Sequence, residues 1–214
     1  MLQLMIQPRL LVCGFGAFPD TPRNPSATVI EALAAQAWSP PGVMTEFLTL
    51  PVSWTATVPA ILDAMRARPA DGILVVGVAN SADAFRVETL GRNRASRSLA
   101  DQHGAPAPDT AIAPHGPGVI AATAPVEAMV QGIIQADLAA RLSDDAGDYL
   151  CNFTLYSLLL AKAAPAVGFL HVPQAREYTP TAPVGLADIE KAVRASSTAF
   201  AQALSRPDAS RRTA

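Results

Sequence analysis

The run DGILVVGVA at residues 71–79 is apolar throughout, rich in β-branched residues and closed by Gly77. A run of this length without a polar face predicts a strand buried on both sides, as in a parallel sheet. Two further runs, RLLVCGF at 9–15 and AVGFLHVP at 166–173, have the same character. A chain with several such strands needs other layers to cover both faces of the sheet.

Segments with helical periodicity alternate with these strands. Residues 84–96 are expected to be irregular or extended, and the Pro- and Gly-rich residues 101–118 to form a long ordered loop or a short hairpin. Ser26 is the expected cap of the first helix, and Pro59 lies in the first turn of the second. Alternating strands and helices predict the α/β class, here a three-layer α/β/α sandwich around a mostly parallel twisted sheet. The predicted helices are 27–37, 55–69, 126–138, 149–164 and 185–204, and the further strands are 45–53 and 139–144.

Length and composition narrow the class of protein. With 214 residues, 50% hydrophobic and 16% charged, the chain is expected to form one domain over residues 1–214, with a disordered tail at about 206–214. A net charge of −2 without a basic run argues against nucleic acid as a partner. No apolar run is long enough to span a bilayer and no secretory signal is recognised, so no membrane partner and a cytoplasmic location are expected. The oligomeric state is left open, with a homo-oligomer among the alternatives.

Two cysteines and three histidines limit the metal and redox chemistry. Cys13 lies inside a predicted strand and is interpreted as structural, and with Cys151 it does not make a disulfide framework. His103 and His115 stand alone in a polar loop. No group of ligands at metal-binding spacing is recognised, so we expect neither a metal nor a cofactor.

The carboxyl ends of the predicted strands point to one edge of the sheet as the ligand site. In open α/β sheets, ligands bind outside these ends. The rule brings together the loop 14–26, the segment after Gly77 and the end of the 166–173 strand. The helix of Cys151 begins after a turn and can direct its first residues to the same edge. The candidate neighbours there are Phe15, Phe18, Glu88 and His171.

Cys151, His171 and Glu88 are residue types that act together in nucleophilic catalysis. A thiol in the first turn of a helix is expected to ionise more readily, because free N–H groups and the helix dipole stabilise negative charge. A histidine can take the thiol proton, and a carboxylate can hold the imidazole in the required tautomer. The residues alone leave open that Cys151 is an inert core thiol, His171 a satisfied core histidine and Glu88 a solvated surface charge.

Four separated motifs, in matching order and spacing, resemble the pyroglutamyl peptidase I family (pyrrolidone-carboxylate peptidases, cysteine peptidase family C15). The resemblance extends over nearly the whole chain. It implies an α/β hydrolase without a cofactor that removes N-terminal pyroglutamyl (5-oxoproline) residues from peptides through a thioester acyl-enzyme. The motifs are LVCGFGAFPDTPRNPS at 11–26, ILVVGVA at 73–79, SDDAGDYLCNFTLYSLL at 143–159 and GFLHVP at 168–173.

The resemblance also implies roles for single residues. Cys151 would be the nucleophile, His171 the general base and then the general acid, and Glu88 the carboxylate that orients the imidazole. Phe15 and Phe18 would form an apolar slot that holds the small lactam ring. For these two side chains, filling the core is the alternative interpretation.

Other positions keep or lose parts of the family's substrate-binding pattern. Asn24 matches the Asn of the family's Asn-Pro-Ser and is expected near the polar edge of the lactam. Val78 stands where the family has Gln, so its side chain offers the lactam no hydrogen bond. The family's arginine aligns with Ser98, and Arg97, one place earlier, is expected to serve near the oxyanion. Asp148 is expected either to cap the helix of the cysteine or to raise the pKa of its thiol.

These departures concern substrate binding and leave the three catalytic candidates in place. We therefore expect a cysteine hydrolase whose removal of pyroglutamyl residues is slower than the family norm, or is directed at a related N-blocked substrate. Loss of one buried hydrogen bond costs about 1–3 kcal/mol, roughly one to two decades of specificity. Because of Val78 and Ser98, an alternative from another class is a non-catalytic protein that binds a small amide or a peptide end.

Overall fold

The structure, a computed structural model, describes residues 7–18 and 21–205, and the tail predicted at 206–214 lies outside the described residues. The predicted helices and strands occur in the predicted order, with additional short strands between the third strand and the third helix, and the first strand matches its predicted bounds. The strands of the described part are β1 (Arg9–Phe15), β2 (Met44–Leu50), β3 (Gly72–Val78), β4 (Phe85–Glu88), β5 (Leu90–Arg92), β6 (Val119–Ala121), β7 (Ala140–Ser143) and β8 (Ala166–Val172). The helices are α1 (Pro25–Ala35), α2 (Thr57–Ala67), α3 (Val126–Gln135), α4 (Leu150–Leu160) and α5 (Leu186–Leu204).

Six strands form one sheet in the order β2-β1-β3-β8-β4-β7. Neighbouring strands are parallel except at β4, which runs antiparallel to β8 and parallel to β7. The three central strands β1, β3 and β8 are buried along nearly their whole length, as their continuous apolar sequences predict. The predicted α/β class with a mostly parallel sheet is confirmed.

Helices cover both faces of this sheet and complete three layers. On one face α1, α3 and α5 pack around a core that includes Ile30, Met129 and Phe200. On the other face α2 and α4 pack around a core that includes Ile61 and Leu158. Within residues 7–18 and 21–205, no helix combines the length and the apolar character that a membrane span requires.

The start of α1 differs from its prediction. Asn24, not Ser26, is the N-cap: its side-chain oxygen accepts a hydrogen bond from the Ser26 N–H at 3.1 Å. Pro25 occupies the first helical position, where the missing N–H leaves no unsatisfied donor. Ser26 is instead buried inside the first turn, and its hydroxyl oxygen accepts from the Phe15 N–H at 3.1 Å. The two polar side chains therefore tie α1 to the end of β1.

Strands β5 and β6 form a separate antiparallel ribbon that packs against α4. Residues 84–96, predicted to be irregular or extended, contain the two short strands β4 and β5. Residues 101–118 form a loop that leads into the ribbon at β6. Asn152, buried in α4, accepts a hydrogen bond from the Arg92 N–H and donates to the carbonyl oxygens of Arg92 and Arg94, each at 2.8 Å. These bonds fix the start of α4 next to Cys151.

Candidate active site

Helix α4 presents Cys151 as its second residue, within the first turn. The N-cap is Tyr149, and no side chain caps the helix. The prediction that Asp148 caps this helix is therefore wrong: Asp148 precedes the cap, its side chain is exposed, and its carbonyl oxygen accepts from the Ser96 N–H at 2.7 Å. In the part of the chain that the structure describes, no side-chain oxygen caps the first turn of α4, which makes this end of the helix suitable for negative charge.

His171 and Glu88 form a buried hydrogen-bonded pair. His171 Nδ1 lies 2.7 Å from Glu88 Oε1, and the exposed fractions of the two side chains are 4% and 0%. Because an ionised carboxylate only accepts hydrogen bonds, Nδ1 carries the proton and Nε2 is left with its lone pair. The antiparallel pairing of β4 with β8 sets Glu88 opposite Phe169, two residues before His171. The structure thus brings together a carboxylate and an imidazole that are 83 residues apart in the chain.

A glycine on the neighbouring strand leaves room for the Cys151 sulfur beside the sheet. Gly77 of β3 pairs with His171 in the sheet register. A Cβ atom at this position would lie 2.9 Å from Cys151 Sγ and 2.8 Å from Phe169 Cζ, too close for any side chain. Cys151 and His171 line the same pocket, although no hydrogen bond joins their side chains in the described part of the chain. Such a contact is often loose before substrate binds.

The protonation of the Cys151 thiol differs from the sequence-based expectation. Burial raises its pKa to about 12, and the negative charge of Glu88 acts in the same direction. The guanidinium of Arg86 and the backbone N–H of Cys151 itself act in the opposite direction but do not outweigh them. Burial lowers the pKa of His171, although its hydrogen bond to Glu88 opposes this effect. The resting site therefore holds a neutral thiol and a neutral imidazole, and the helix terminus alone does not ionise the sulfur.

On one side of Cys151 lies a small cavity, the aromatic slot, with a free volume of about 30 Å³. Such a volume accommodates one or two water molecules. The ring centroids of Phe18 and Tyr149 are 6.2 Å apart, and Trp54 packs edge-on against Tyr149 at 5.3 Å. Asn24 is fixed in its wall, because its side-chain nitrogen donates to the Gly16 carbonyl at 3.0 Å in addition to the capping bond of its oxygen. The slot is lined by Phe15, Phe18, Asn24, Val52, Val78, Tyr149, Leu150 and Cys151.

A second, larger and more open cavity, the polar pocket, of about 360 Å³, is also lined by Cys151 and shares Val78 and Tyr149 with the slot. His171 lines this pocket and does not line the slot. The half-buried Arg86 also lines it, with its Nε 3.5 Å from Glu88 Oε1, and it is the sheet partner of His171. The polar pocket is lined by Val78, Ala79, Arg86, Asp145, Ala146, Gly147, Asp148, Tyr149, Cys151 and His171.

The structure does not bring Arg97 to either cavity. Its side chain is exposed, and it lines neither the aromatic slot nor the polar pocket. Residues 97 and 98 form a surface turn, in which Ser98 lies 2.8 Å from Ser96 between hydroxyl oxygens. A one-residue offset in a turn is enough to direct a long side chain into solvent.

Two side chains that sequence reasoning did not single out contribute to the site. Arg86 gave no local signal, because its position follows from the pairing of β4 with β8. Tyr149 forms a wall of both cavities, and its hydroxyl donates to the Ala100 carbonyl at 2.9 Å. Tyr149 lies two residues before Cys151 in the motif SDDAGDYLCNFTLYSLL. This short separation in sequence was the signal that could have identified it as a site residue. Cys13, by contrast, is fully buried in β1, and burial raises the pKa of its thiol, as expected of a structural cysteine.

In the described part of the chain, no three His, Cys, Asp or Glu side chains are grouped as metal ligands would be. The polar groups near Cys151 instead include the Glu88 carboxylate, which is paired with the imidazole of His171 and the guanidinium of Arg86. Such an arrangement suits proton transfer and nucleophilic attack.

Comparison with known proteins gives one consistent family. The family model described as pyroglutamyl peptidase, Peptidase_C15, matches residues 8–204. The pyrrolidone-carboxylate peptidase of Streptomyces coelicolor is 34% identical over 181 residues, which cover 82% of this chain and 83% of that protein. The enzyme of the same name from Cupriavidus taiwanensis is 33% identical over 210 residues, which cover 92% of this chain and 94% of that protein.

Solved structures share the fold. The pyrrolidone carboxyl peptidase from Thermus thermophilus superposes with a TM-score of 0.79 at 30% identity, covering 88% of this chain and 98% of that chain. The pyroglutamyl peptidase I from Bacillus amyloliquefaciens superposes with a TM-score of 0.84 at 22% identity, covering 92% of this chain and 96% of that chain. The architecture around Cys151 is thus embedded in a fold seen in experimental structures.

Proposed function

Because the chain belongs to the pyroglutamyl peptidase family, we propose that it is a cysteine peptidase that removes N-terminal pyroglutamyl residues from peptides. The observation that carries the proposal is the arrangement of Cys151 between an aromatic slot and the His171–Glu88 pair. An acyl group that fits the slot and a proton acceptor on the other side of the sulfur are the two requirements of acyl transfer to a thiol.

The attack begins from the neutral pair. His171 Nε2 takes the thiol proton as Cys151 Sγ forms a bond to the exocyclic carbonyl carbon of the pyroglutamyl residue. Glu88 accepts the hydrogen bond from Nδ1 and stabilises the imidazolium that results. The negative charge of the tetrahedral oxygen is placed near the uncapped N–H groups at the start of α4. The high pKa of the thiol makes proton transfer to His171 part of this step.

The tetrahedral intermediate then collapses to an acyl-enzyme. The carbon–nitrogen bond breaks, and the His171 imidazolium gives its proton to the departing amine, so the shortened peptide leaves with a free amino group. A water molecule next loses a proton to His171 and attacks the thioester carbonyl. The carbon–sulfur bond breaks, 5-oxoproline is released, and Cys151 regains its proton from the imidazolium.

The aromatic slot supports a small lactam as the acyl part of the substrate. Its walls are almost wholly apolar and can bury the methylene edge of a five-membered ring. A lactam ring needs more room than one or two water molecules, so the slot must widen when substrate enters. Phe18 is half-buried and can move outward, whereas Phe15 is held in the core against Phe169 at 6.4 Å. Val78 lines the slot without offering a side-chain hydrogen bond, which supports a turnover below the family norm.

The remaining expectations follow the same proposal. We treat residues 7–205 as one domain, since a single sheet with a core on each face spans them. A mechanism that needs a free thiol suits the reducing cytoplasm, which we propose as the location. A non-catalytic binding protein loses part of its support, because Ser98 is exposed and lies outside both cavities.

A fluorogenic pyroglutamyl amide tests the proposal directly. The wild-type protein should hydrolyse it, and Cys151→Ala should reduce kcat by at least about 10⁴-fold. Cys13→Ala is the matched control, because it removes the other thiol from the core of the same sheet. Circular dichroism checks that each variant is folded. Equal turnover by the wild type and Cys151→Ala would show that Cys151 is not the nucleophile, and a panel of other N-blocked amides would reveal an altered acyl preference.

A further inference from the structure

The polar pocket receives the part of the substrate that leaves. This step rests on the proposed function, in which His171 must give a proton to the departing amine. His171 lines the polar pocket and not the aromatic slot, so the departing peptide lies in the polar pocket while the lactam occupies the slot. The residue that follows pyroglutamate in the substrate therefore contacts the walls of this pocket.

Besides His171, three charged side chains line the polar pocket, and two of them are paired. The guanidinium of Arg86 faces the Glu88 carboxylate, with 3.5 Å between Nε and Oε1. The Asp145 carboxylate accepts from Arg94 at 2.6 Å and from the Gly147 N–H at 2.9 Å. Each of these two charges is thus balanced by a neighbour of opposite sign.

Asp148 is the third, and its charge is not balanced. Its side chain is exposed and lines the polar pocket, and among the described residues its carboxylate has neither an ion pair nor a hydrogen bond. When the reaction proceeds, the positive charge of the His171 imidazolium and the negative charge of the tetrahedral oxygen arise together and add no net charge to the site. The net field that a departing peptide meets is consequently negative.

We infer that Asp148 is a specificity-determining residue that favours substrates with a cationic residue directly after pyroglutamate and disfavours those with an acidic one. An exposed carboxylate interacts modestly with a nearby charge, so we expect roughly a two- to five-fold change in kcat/KM for each change of one charge, which corresponds to about 0.4–1 kcal/mol. The pocket is open to solvent, so the preference should weaken as salt screens the charges.

The experiment compares three peptides that differ only at the second position, pyroglutamyl-lysyl-, pyroglutamyl-glutaminyl- and pyroglutamyl-glutamyl-alanine amide. The wild type should cleave them in the order lysine, glutamine, glutamate, each step about two- to five-fold. Asp148→Asn should flatten the series, and Asp148→Lys should reverse it. Ratios within one variant cancel any change in the thiol or the imidazole, and cleavage of the glutamine peptide shows that the variant is folded.

Asp144→Asn is the matched control. It removes the same charge from the same loop, but Asp144 does not line the polar pocket and is paired with Arg92 at 3.3 Å. The control should keep the wild-type order, and 1 M salt should compress the order in both proteins. A flat series in the wild type, or equal flattening by Asp144→Asn, would overturn the inference while leaving the proposed function intact. Failure to cleave any of the three peptides would overturn both.

Discussion

The two cavities that meet at Cys151 differ in volume and in the chemistry of the side chains that line them. The aromatic slot has about 30 Å³ of free volume and walls that come mostly from apolar side chains. The polar pocket has about 360 Å³ and carries Arg86, Asp145, Asp148 and His171. The tight apolar side can select the acyl group by shape, whereas the open polar side can only bias the leaving group by charge. The difference shows how one sulfur atom can lie between a cavity suited to strict selection of the acyl group and a cavity suited to weak selection of the leaving group.

The largest effect is expected from a substitution that disrupts the His171–Glu88 pair next to the polar pocket. Glu88→Gln keeps the shape of the buried side chain but removes the charge that stabilises the imidazolium, and its amide can donate to Nδ1 and so favour the wrong tautomer. We expect kcat to fall by about 10²- to 10⁴-fold. Steady-state assays with the fluorogenic amide measure this, with Glu190→Gln, an exchange in a half-buried helical pair with Arg194 on α5, as the control. A loss smaller than about tenfold would mean that Glu88 is not needed to orient His171.

The next effect concerns the sulfur at the boundary between the two cavities. With a pKa of about 12, the Cys151 thiol stays neutral near pH 7, and its thiolate fraction grows as the pH rises toward that value. The rate of alkylation by iodoacetamide should therefore rise about tenfold per pH unit between pH 7 and pH 10. A protein with Cys13→Ala limits labelling to Cys151. A plateau below pH 8 would instead indicate a preformed thiolate–imidazolium pair in the free enzyme.

A third prediction compares two side chains that line the aromatic slot, the half-buried Phe18 and the core residue Phe15. Phe18→Ala removes a half-buried wall and should raise KM for the pyroglutamyl amide roughly tenfold with little change in the free energy of unfolding. Phe15→Ala removes a side chain that is 4% exposed and should lower the free energy of unfolding by about 3–5 kcal/mol. Urea denaturation and steady-state kinetics distinguish the two. Equal effects of both variants on KM and on stability would show that the slot is not a separate functional unit.

A smaller effect is expected where the two cavities share a wall. Val78→Gln supplies a side-chain hydrogen bond that this chain lacks, and it should raise kcat/KM for pyroglutamyl substrates up to about tenfold. Val78→Leu is the apolar control and should give no increase. A decrease with Gln would mean that the narrow slot has no room for the longer side chain.

The smallest expected effect is that of Arg97. Because this side chain is exposed and lines neither cavity, Arg97→Ala should change kcat/KM by less than about twofold. The fluorogenic assay at one pH is sufficient to measure it. A tenfold loss would show that Arg97 reaches the reacting carbonyl when substrate binds.

Much of the fold followed from local patterns. The all-apolar runs identified the buried strands, since a strand covered on both faces cannot carry a polar side. The cap of α1 did not follow, because Asn24 and Ser26 are both good capping residues and Pro25 at the first helical position decides between them. The short strands β4 and β5 were also missed as strands, since their pairing partners lie far along the chain.

The sequence by itself determined the order of the long helices and strands, the family and the three side chains that we propose for catalysis. Cys151 and His171 lie in contiguous motifs, and Glu88 lies at a fixed spacing from Gly77. Only the tertiary structure decided that Arg86 lies beside His171, since this depends on the register of β4 against β8. It also decided the charge state of Cys151. A helix terminus favours the thiolate, but burial and the nearby Glu88 outweigh it, and burial is a property of the whole packed molecule.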